Sequence, residues 1–248
     1  PRVRRQRQMC IRDRPLQSNA SIVVQNQMKR ELQQTADGSH TLFIPEMDEH
    51  YHSVNGAVQE SRHVFIEAGL HHQAKKNITV FEIGFGTGLN AFLTLLDAEE
   101  NNRSVNYYSI ELYPLGAELV RALNYGDVIC PEKKEWFEAL HVATWNEAVR
   151  ITDRFTLHKI QGDSNHCELP EGIDLVYFDA FAPDKQPEMW SQEIFDKLYA
   201  HMAEGGILTT YCAKGVVRRM MQKAGYSVER IPGPPGKREM LRAIKSSL

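Results

Sequence analysis

The run Phe81-Glu82-Ile83-Gly84-Phe85-Gly86-Thr87-Gly88-Leu89-Asn90 decides how this chain is read. It follows the β-branched segment Ile78-Thr79-Val80 and leads into Ala91-Phe92-Leu93-Thr94-Leu95-Leu96, a good helix former. Strand, three glycines at alternate positions, then helix is the junction through which a doubly wound α/β domain presents a nucleotide-shaped ligand. Glycines there let the backbone turn tightly and approach the ligand with no Cβ in the way. The spacing is G-x-G-x-G rather than the G-x-G-x-x-G of dinucleotide folds. Alone, the loop leaves a dinucleotide, another nucleoside-bearing cofactor and an empty tight turn all open.

Working outward, the α/β alternation becomes regular from Asn77. Strands are expected at Ile78–Ile83, Asn106–Leu112, Thr156–Ile160, Asp174–Phe178, Gly206–Cys212, Tyr226–Ile231 and Glu239–Ile244. Helices are expected at Leu89–Glu99, Leu115–Leu123, Glu188–Met202 and Val216–Lys223, with one more helix or helix pair in Glu132–Arg150. The turn Pro232-Gly233-Pro234-Pro235-Gly236 makes the last two strands an antiparallel hairpin at the sheet edge. A seven-stranded Rossmann-like sheet with its last strand antiparallel leaves no room for a dehydrogenase's substrate domain. That pattern favours the class I methyltransferase fold, whose cofactor is S-adenosyl-L-methionine.

Before this sheet, the segments Ser21–Val24, Arg30–Thr35 and Thr41–Ile44 read as short strands. Asp37-Gly38 is the turn between the latter two, and an amphipathic helix runs over Val58–His72. Residues 15–76 therefore form a small β-rich N-terminal cap and residues 77–248 the cofactor-binding domain. Residues 1–14, with six arginines against one acid and no periodicity, read as a non-native or unstructured leader.

Composition bounds the alternatives. The four cysteines (Cys10, Cys130, Cys167, Cys212) are scattered without C-x-x-C pairing, so neither a disulfide framework nor a zinc site is expected and a cytoplasmic location fits. His50 and His52 lie two apart and His71-His72 adjoin, but no third ligand stands at metal spacing. The net charge of −3 hides a basic stretch: from Lys214 onward nine Lys and Arg face two Glu, which points to a localised polyanion contact.

Three acids sit at or just past strand ends, where such sheets bind ligands. Glu111 can accept from ribose hydroxyls, and Asp163, in Q-G-D-S, from an adenine amine. Asp179 closes the apolar run Leu175-Val176-Tyr177-Phe178 and opens D-A-F-A-P-D-K-Q-P-E-M-W. Its carboxylate would face a transferable methyl group, where the chemistry needs an amine lone pair oriented and its proton received. Lys185, Met189 and Trp190 follow closely enough to wall an acceptor pocket, although a lone Trp is more often a core residue.

The segments G-F-G-T-G-L-N, D-A-F-A-P-D-K-Q-P-E-M-W, Y-H-S-V-N-G-A-V-Q-E-S-R-H-V-F and A-K-G-V-V-R-R-M-M-Q-K-A-G-Y with G-K-R-E-M-L resemble the methyltransferase half of the MnmC family. The resemblance runs from about Asp48 to Ile244. It implies transfer of a methyl from S-adenosyl-L-methionine to the primary amine of 5-aminomethyl-(2-thio)uridine at the tRNA wobble position. The family's FAD-dependent oxidoreductase half has no counterpart here, so a stand-alone form of the MnmD type is expected, with separate enzymes supplying the aminomethyluridine. By position, Glu82, Gly84, Gly86, Gly88, Asn90, Glu111 and Asp163 are expected to hold the cofactor and Asp179 to be catalytic. Tyr51, Lys185 and Trp190 are expected at the uridine, and Arg218, Arg219, Lys237 and Arg238, with Lys223, at tRNA phosphates. A small-molecule N-methyltransferase is the alternative, which the basic C-terminal lobe disfavours.

Overall fold

A computed structural model describes residues 28–246; the leader at 1–14 and the strand expected at 21–24 lie outside the described residues. The chain enters through a three-stranded antiparallel sheet, β1 (Glu31–Gln34), β2 (His40–Ile44) and β3 (Glu49–His50). The Asp37-Gly38 turn joins β1 to β2: Asp37 Oδ1 accepts from the Ser39 amide at 3.1 Å, and Gly38 sits at φ 83°. The helix expected over Val58–His72 is broken into three. A short α1 (Ala57–Ser61) passes into a π-helical segment, Arg62–Glu67, and a 3-10 turn, Leu70–His72. Val64, Phe65 and Ile66 are all buried in succession, which a single 3.6-period stripe does not allow.

Next come β4 (Asn77–Ile83), α2 (Leu89–Glu100), β5 (Ser104–Glu111), α3 (Ala117–Ala122), α4 (Tyr125–Ile129) and α5 (Lys134–Val142). Of the helix or helix pair expected in Glu132–Arg150, only one α-helix forms, α5, ending at Val142. Asn146 turns the chain at φ 64°, and Ala148–Arg150 becomes β6, an edge strand antiparallel to β7 (Phe155–Gln161). Among the described residues the main sheet thus has eight strands, one more than expected. The remainder is β8 (Ile173–Phe178), α6 (Gln192–His201), β9 (Met202–Thr210), α7 (Gly215–Ala224), β10 (Ser227–Pro232) and β11 (Glu239–Ile244).

The sheet order is β10-β11-β9-β8-β4-β5-β7-β6. Its five central strands are parallel, and β11 runs antiparallel to both β9 and β10. Every residue of β8 is buried, as a central parallel strand covered on both faces requires. Its side chains alternate between two cores. Leu175 and Tyr177 join Phe65, Phe92 and Tyr107 on one face, while Val176 and Phe178 join Phe195, Leu198 and Trp190 on the other. No helix among the described residues is long and apolar enough to cross a membrane.

Candidate active site

The chain leaves β4 outward to β5 and β7, then returns across the sheet to β8, on the opposite side of β4. A crevice opens at the carboxyl ends where that order reverses. Ile83 pairs in register with Ile110 and Phe178, so the glycine loop, Glu111 and Asp179 emerge side by side. Asp163 joins them from beyond β7, because Gly162 donates its N–H to the Glu111 carbonyl at 3.0 Å.

The loop needs its glycines. Gly84 sits at φ 89°, and a Cβ there would come within 3.2 Å of the Asp179 carbonyl. Gly88, at φ 73°, leads into α2, and a Cβ on it would stand 2.8 Å from His141 Nε2. Between them the Gly86 N–H donates to Glu111 Oε2 at 2.9 Å, and Tyr113 N–H donates to Oε1 at 2.8 Å. Glu111 is thereby fixed at the loop's edge.

Two clefts flank Asp179. The first, about 860 Å³, is lined by the loop from Gly84 to Thr87, by Asn90, by Glu111 to Tyr113, and by Asp163, Asp179 and Met189. The second, about 660 Å³, is lined by Glu49, Glu60, Phe181, Tyr211 and Lys237. Tyr51, His52, Asp179, Ala180 and Phe181 line both. Burial pushes the Asp179 carboxyl up to about 7, against the pull of the Asn90 amide, which donates to its Oδ2 at 2.8 Å. No protein group among the described residues donates to Oδ1.

The walls of the second cleft are tied together. Lys237 Nζ donates to Glu60 Oε1 at 2.7 Å and lies 3.9 Å from the centre of the Tyr211 ring. Glu60 Oε2 accepts from the Ser53 amide, and the Tyr211 hydroxyl donates to the Ala180 carbonyl at 2.9 Å. Tyr51 meets Phe181 edge-on at 5.2 Å between centroids, and Arg30 Nε donates to the Tyr51 hydroxyl at 3.0 Å.

Of the expected site residues, the structure gathers Gly84, Gly86, Asn90, Glu111, Asp163, Asp179, Tyr51 and Lys237 around these clefts. Four expected at the cofactor or the uridine line neither cleft, the first being Gly88, which caps the start of α2. Glu82 is fully buried beneath the loop and lines neither cleft. Trp190 is 6% exposed, packs on Phe178, and donates Nε1–H to the Phe181 carbonyl at 2.7 Å; it is a core residue that supports the loop after Asp179. Lys185 reaches toward Asp48 at 3.8 Å instead of into a cleft, and Gln186 lines the first cleft instead. Arg219 and Arg238 are exposed, while Arg218 is half-buried on α7. Asp163 also closes a local turn, accepting from the Asn165 N–H at 2.9 Å and pairing with His166. Burial raises its carboxyl, but these hydrogen bonds prevail and hold it below its ordinary value.

Several cleft residues escape a reading of the sequence. Phe181 stands two after Asp179, and Glu60 lies inside the quoted Y-H-S-V-N-G-A-V-Q-E run, so a local signal exists for both. Tyr211 and Arg30 carry none. The paired histidines have other employment: His52 Nε2 bonds Thr87 Oγ1 at 2.8 Å, and His50 Nε2 bonds Gln33 at 3.1 Å.

Comparison with known proteins bears on this site. Residues 131–246 match a family described as S-adenosyl-L-methionine-dependent methyltransferase. The bifunctional protein MnmC of tRNA 5-methylaminomethyl-2-thiouridine biosynthesis from Magnetococcus marinus is 32% identical over 215 residues, covering 82% of this chain and 32% of its own length. Its counterpart from Pseudomonas fluorescens is 34% identical over 215 residues, covering 79% of this chain and 32% of that protein. The chain therefore spans about a third of the length of these relatives. The crystal structure of MNMC2 from Aquifex aeolicus superposes with a TM-score of 0.70 at 25% identity, over 92% of this chain and 77% of that one. Spermidine synthase from Thermotoga maritima shares the fold at a TM-score of 0.50 and 10% identity, over 88% of this chain and 74% of that one.

Proposed function

We propose, from the premise that this chain belongs to the S-adenosyl-L-methionine-dependent methyltransferases of the MnmC family, that it methylates the primary amine of 5-aminomethyl-(2-thio)uridine at the wobble position of tRNA. The first cleft fits the cofactor. Glu111 stands where it can accept from ribose hydroxyls, Asp163 where it can accept from an exocyclic amine, and Leu112, Tyr113 and Met189 offer apolar walls for a purine. Gly84 leaves bare backbone toward Asp179. When bound, the cofactor supplies a methyl group that is already electrophilic.

The chain then has three tasks: hold the amine, keep its lone pair free, and take its proton. The observation that carries the reading is that Asp179 lines both clefts, so one carboxylate borders donor and acceptor space alike. With Oδ2 held by Asn90, Oδ1 is left to accept from an ammonium group entering the second cleft. A carboxyl raised to about 7 is matched to receiving that proton near neutral pH. Tyr51 and Phe181, edge to face at the junction of the clefts, offer aromatic surface to a splayed uridine. Lys237 at the cleft wall, with exposed Arg238, Arg219 and Lys223, supports phosphate contact outside it.

The test is incubation with S-adenosyl-L-methionine and tRNA bearing 5-aminomethyluridine, followed by nucleoside mass spectrometry. The expected product is the N-methylated nucleoside. Methylation of the free nucleoside but not the tRNA would establish the small-molecule reading instead.

A further inference from the structure

Beneath the glycine loop lies a buried carboxyl that the reaction above does not use. Glu82 of β4 is fully buried between its register neighbours Ser109 on β5 and Tyr177 on β8. Ser109 Oγ donates to Glu82 Oε2 at 2.6 Å, whereas Oε1 has no hydrogen-bond partner among the described residues. Among the other buried polar atoms of the described residues that lack one, two belong to side chains beside Glu82: Asn90 Oδ1 and the Tyr107 hydroxyl. On its other side, Asn90 donates Nδ2–H to Asp179. The buried carboxylates of Glu60 and Asp174 have Lys237 and Lys75 as partners; Glu82 has no ion-pair partner among the described residues.

An ionised Glu82 would be a buried charge without a counter-ion, and its Oε1 and the Asn90 Oδ1 would both be buried acceptors with no donor. A neutral acid resolves every loose end at once. Its O–H donates to Asn90 Oδ1, and the Tyr107 O–H donates to the Glu82 carboxyl. We propose that Glu82 is held as the neutral acid and acts as a positioning residue, its O–H locking the Asn90 amide so that Nδ2 faces Asp179. Burial pushes the Glu82 carboxyl up to about 8, against the Ser109 hydrogen bond and smaller pulls from Asn90 and Tyr107, and the Asp179 charge adds to the rise. The other titratable groups facing it, Tyr107 and Tyr177, are pushed above their ordinary range by burial and stay neutral.

The Asn90 amide carries both N–H donors on one edge and its oxygen on the other, so it cannot serve anions on opposite edges at once. When Glu82 ionises, Asn90 turns its Nδ2 toward Glu82 and its Oδ1 toward Asp179. That oxygen is tolerated only by a protonated Asp179, and the proton acceptor of the second cleft is lost. Glu82 thus sets an alkaline limit on a reaction whose base is Asp179, and to that extent the inference rests on the function proposed above.

Its test has one arm that needs no turnover. In protein carrying carbon-13 at the glutamate carboxyl, the Glu82 resonance is identified by its loss in Glu82→Gln. It should report a carboxylic acid near neutral pH and titrate at about pH 8, far above an ordinary glutamate. A carboxylate signal at about pH 6 would overturn the proposal. In the second arm, Glu82→Gln, whose amide can also donate to Asn90, should turn over roughly tenfold faster than Glu82→Leu, and its alkaline fall should lie above the parent's. Equal rates for the two variants, or an unmoved alkaline limb, would overturn it too. If the resonance reports a neutral acid while Asp179→Asn remains fully active, the lock stands and the base assignment fails.

Discussion

Asp179 keeps one oxygen on Asn90 and the other toward the clefts, and its burial brings its proton affinity near neutrality. Asp179→Asn should therefore lower kcat by a factor of about 10² to 10⁴, the usual contribution of a positioned proton acceptor, while cofactor still binds. Single-turnover assays with parallel calorimetry check this; a variant within a few-fold of the parent removes Asp179 from the chemistry. Glu111 holds the loop through Gly86 and Tyr113 as well as facing the first cleft. Glu111→Ala should weaken S-adenosyl-L-methionine binding by roughly 1.5–3 kcal/mol, the value of hydrogen bonds to a charged group. Unchanged affinity by calorimetry would place the ribose elsewhere. Both acids are readable from their positions at strand ends. Trp190 is not: its Nε1 serves the Phe181 carbonyl, a bond that exists only once the loop has folded back on α6.

At the level of elements, the site depends on a support below it and a wall beside it. The support is the segment after β8, braced by Trp190 at Phe181 and by Tyr211 at Ala180. Trp190→Phe keeps most of the aromatic bulk and removes one buried hydrogen bond. It should cost about 1 kcal/mol of stability by denaturant unfolding and reduce kcat more than cofactor affinity. The wall is the β10–β11 hairpin, whose Lys237 reaches Glu60 of α1 and so couples cap to sheet. The π-helical segment is joined to the same hairpin by His63 Nε2 at the Pro232 carbonyl, 2.9 Å away. Reversing the exposed charges with Arg219→Glu and Arg238→Glu should weaken tRNA binding. The slope of log affinity against log salt should fall by about 1 for each phosphate left without its cation. An unaltered slope puts the nucleic-acid surface on another face.

For the molecule as a whole, the buried titratable groups predict how stability follows pH. Glu82 is raised to about 8 and Asp179 to about 7, so the folded protein binds their protons more tightly than the unfolded chain does. Their contribution is full below the ordinary carboxyl range and is lost as pH rises through those values. His52 and His141, lowered by burial to about 4, act in the opposite sense: the unfolded chain takes up their protons first, so stability rises with pH until they are neutral in both states above 6.5. Thermal melts should consequently show falling stability from about pH 6.5 to 8, by roughly 1–2 kcal/mol for the fully buried Glu82. Glu82→Gln should flatten that decline; an equal decline in the variant would assign it to other groups.

The fold and half of the site are written locally in the chain. A β-branched run, a G-x-G-x-G turn and an apolar helix are neighbours in sequence, and so are Phe178 and Asp179. Short-range chemistry therefore announces a doubly wound sheet with acids at its strand ends, and the hairpin turn announces the antiparallel edge. The acceptor side is not local. Tyr51 and Glu60, Phe181, Tyr211 and Lys237 come from four separate segments, and which of them faces the second cleft is settled when the cap packs against the β10–β11 hairpin. Glu82 shows the same division. Its place before the glycines suggests a ligand contact, yet the register of β4 between β5 and β8 seals it from the cleft and leaves Asn90 as its route to the site. Burial is a property of the assembled sheet, and burial is what separates a carboxylate that touches ligand from one that orders the groups that do.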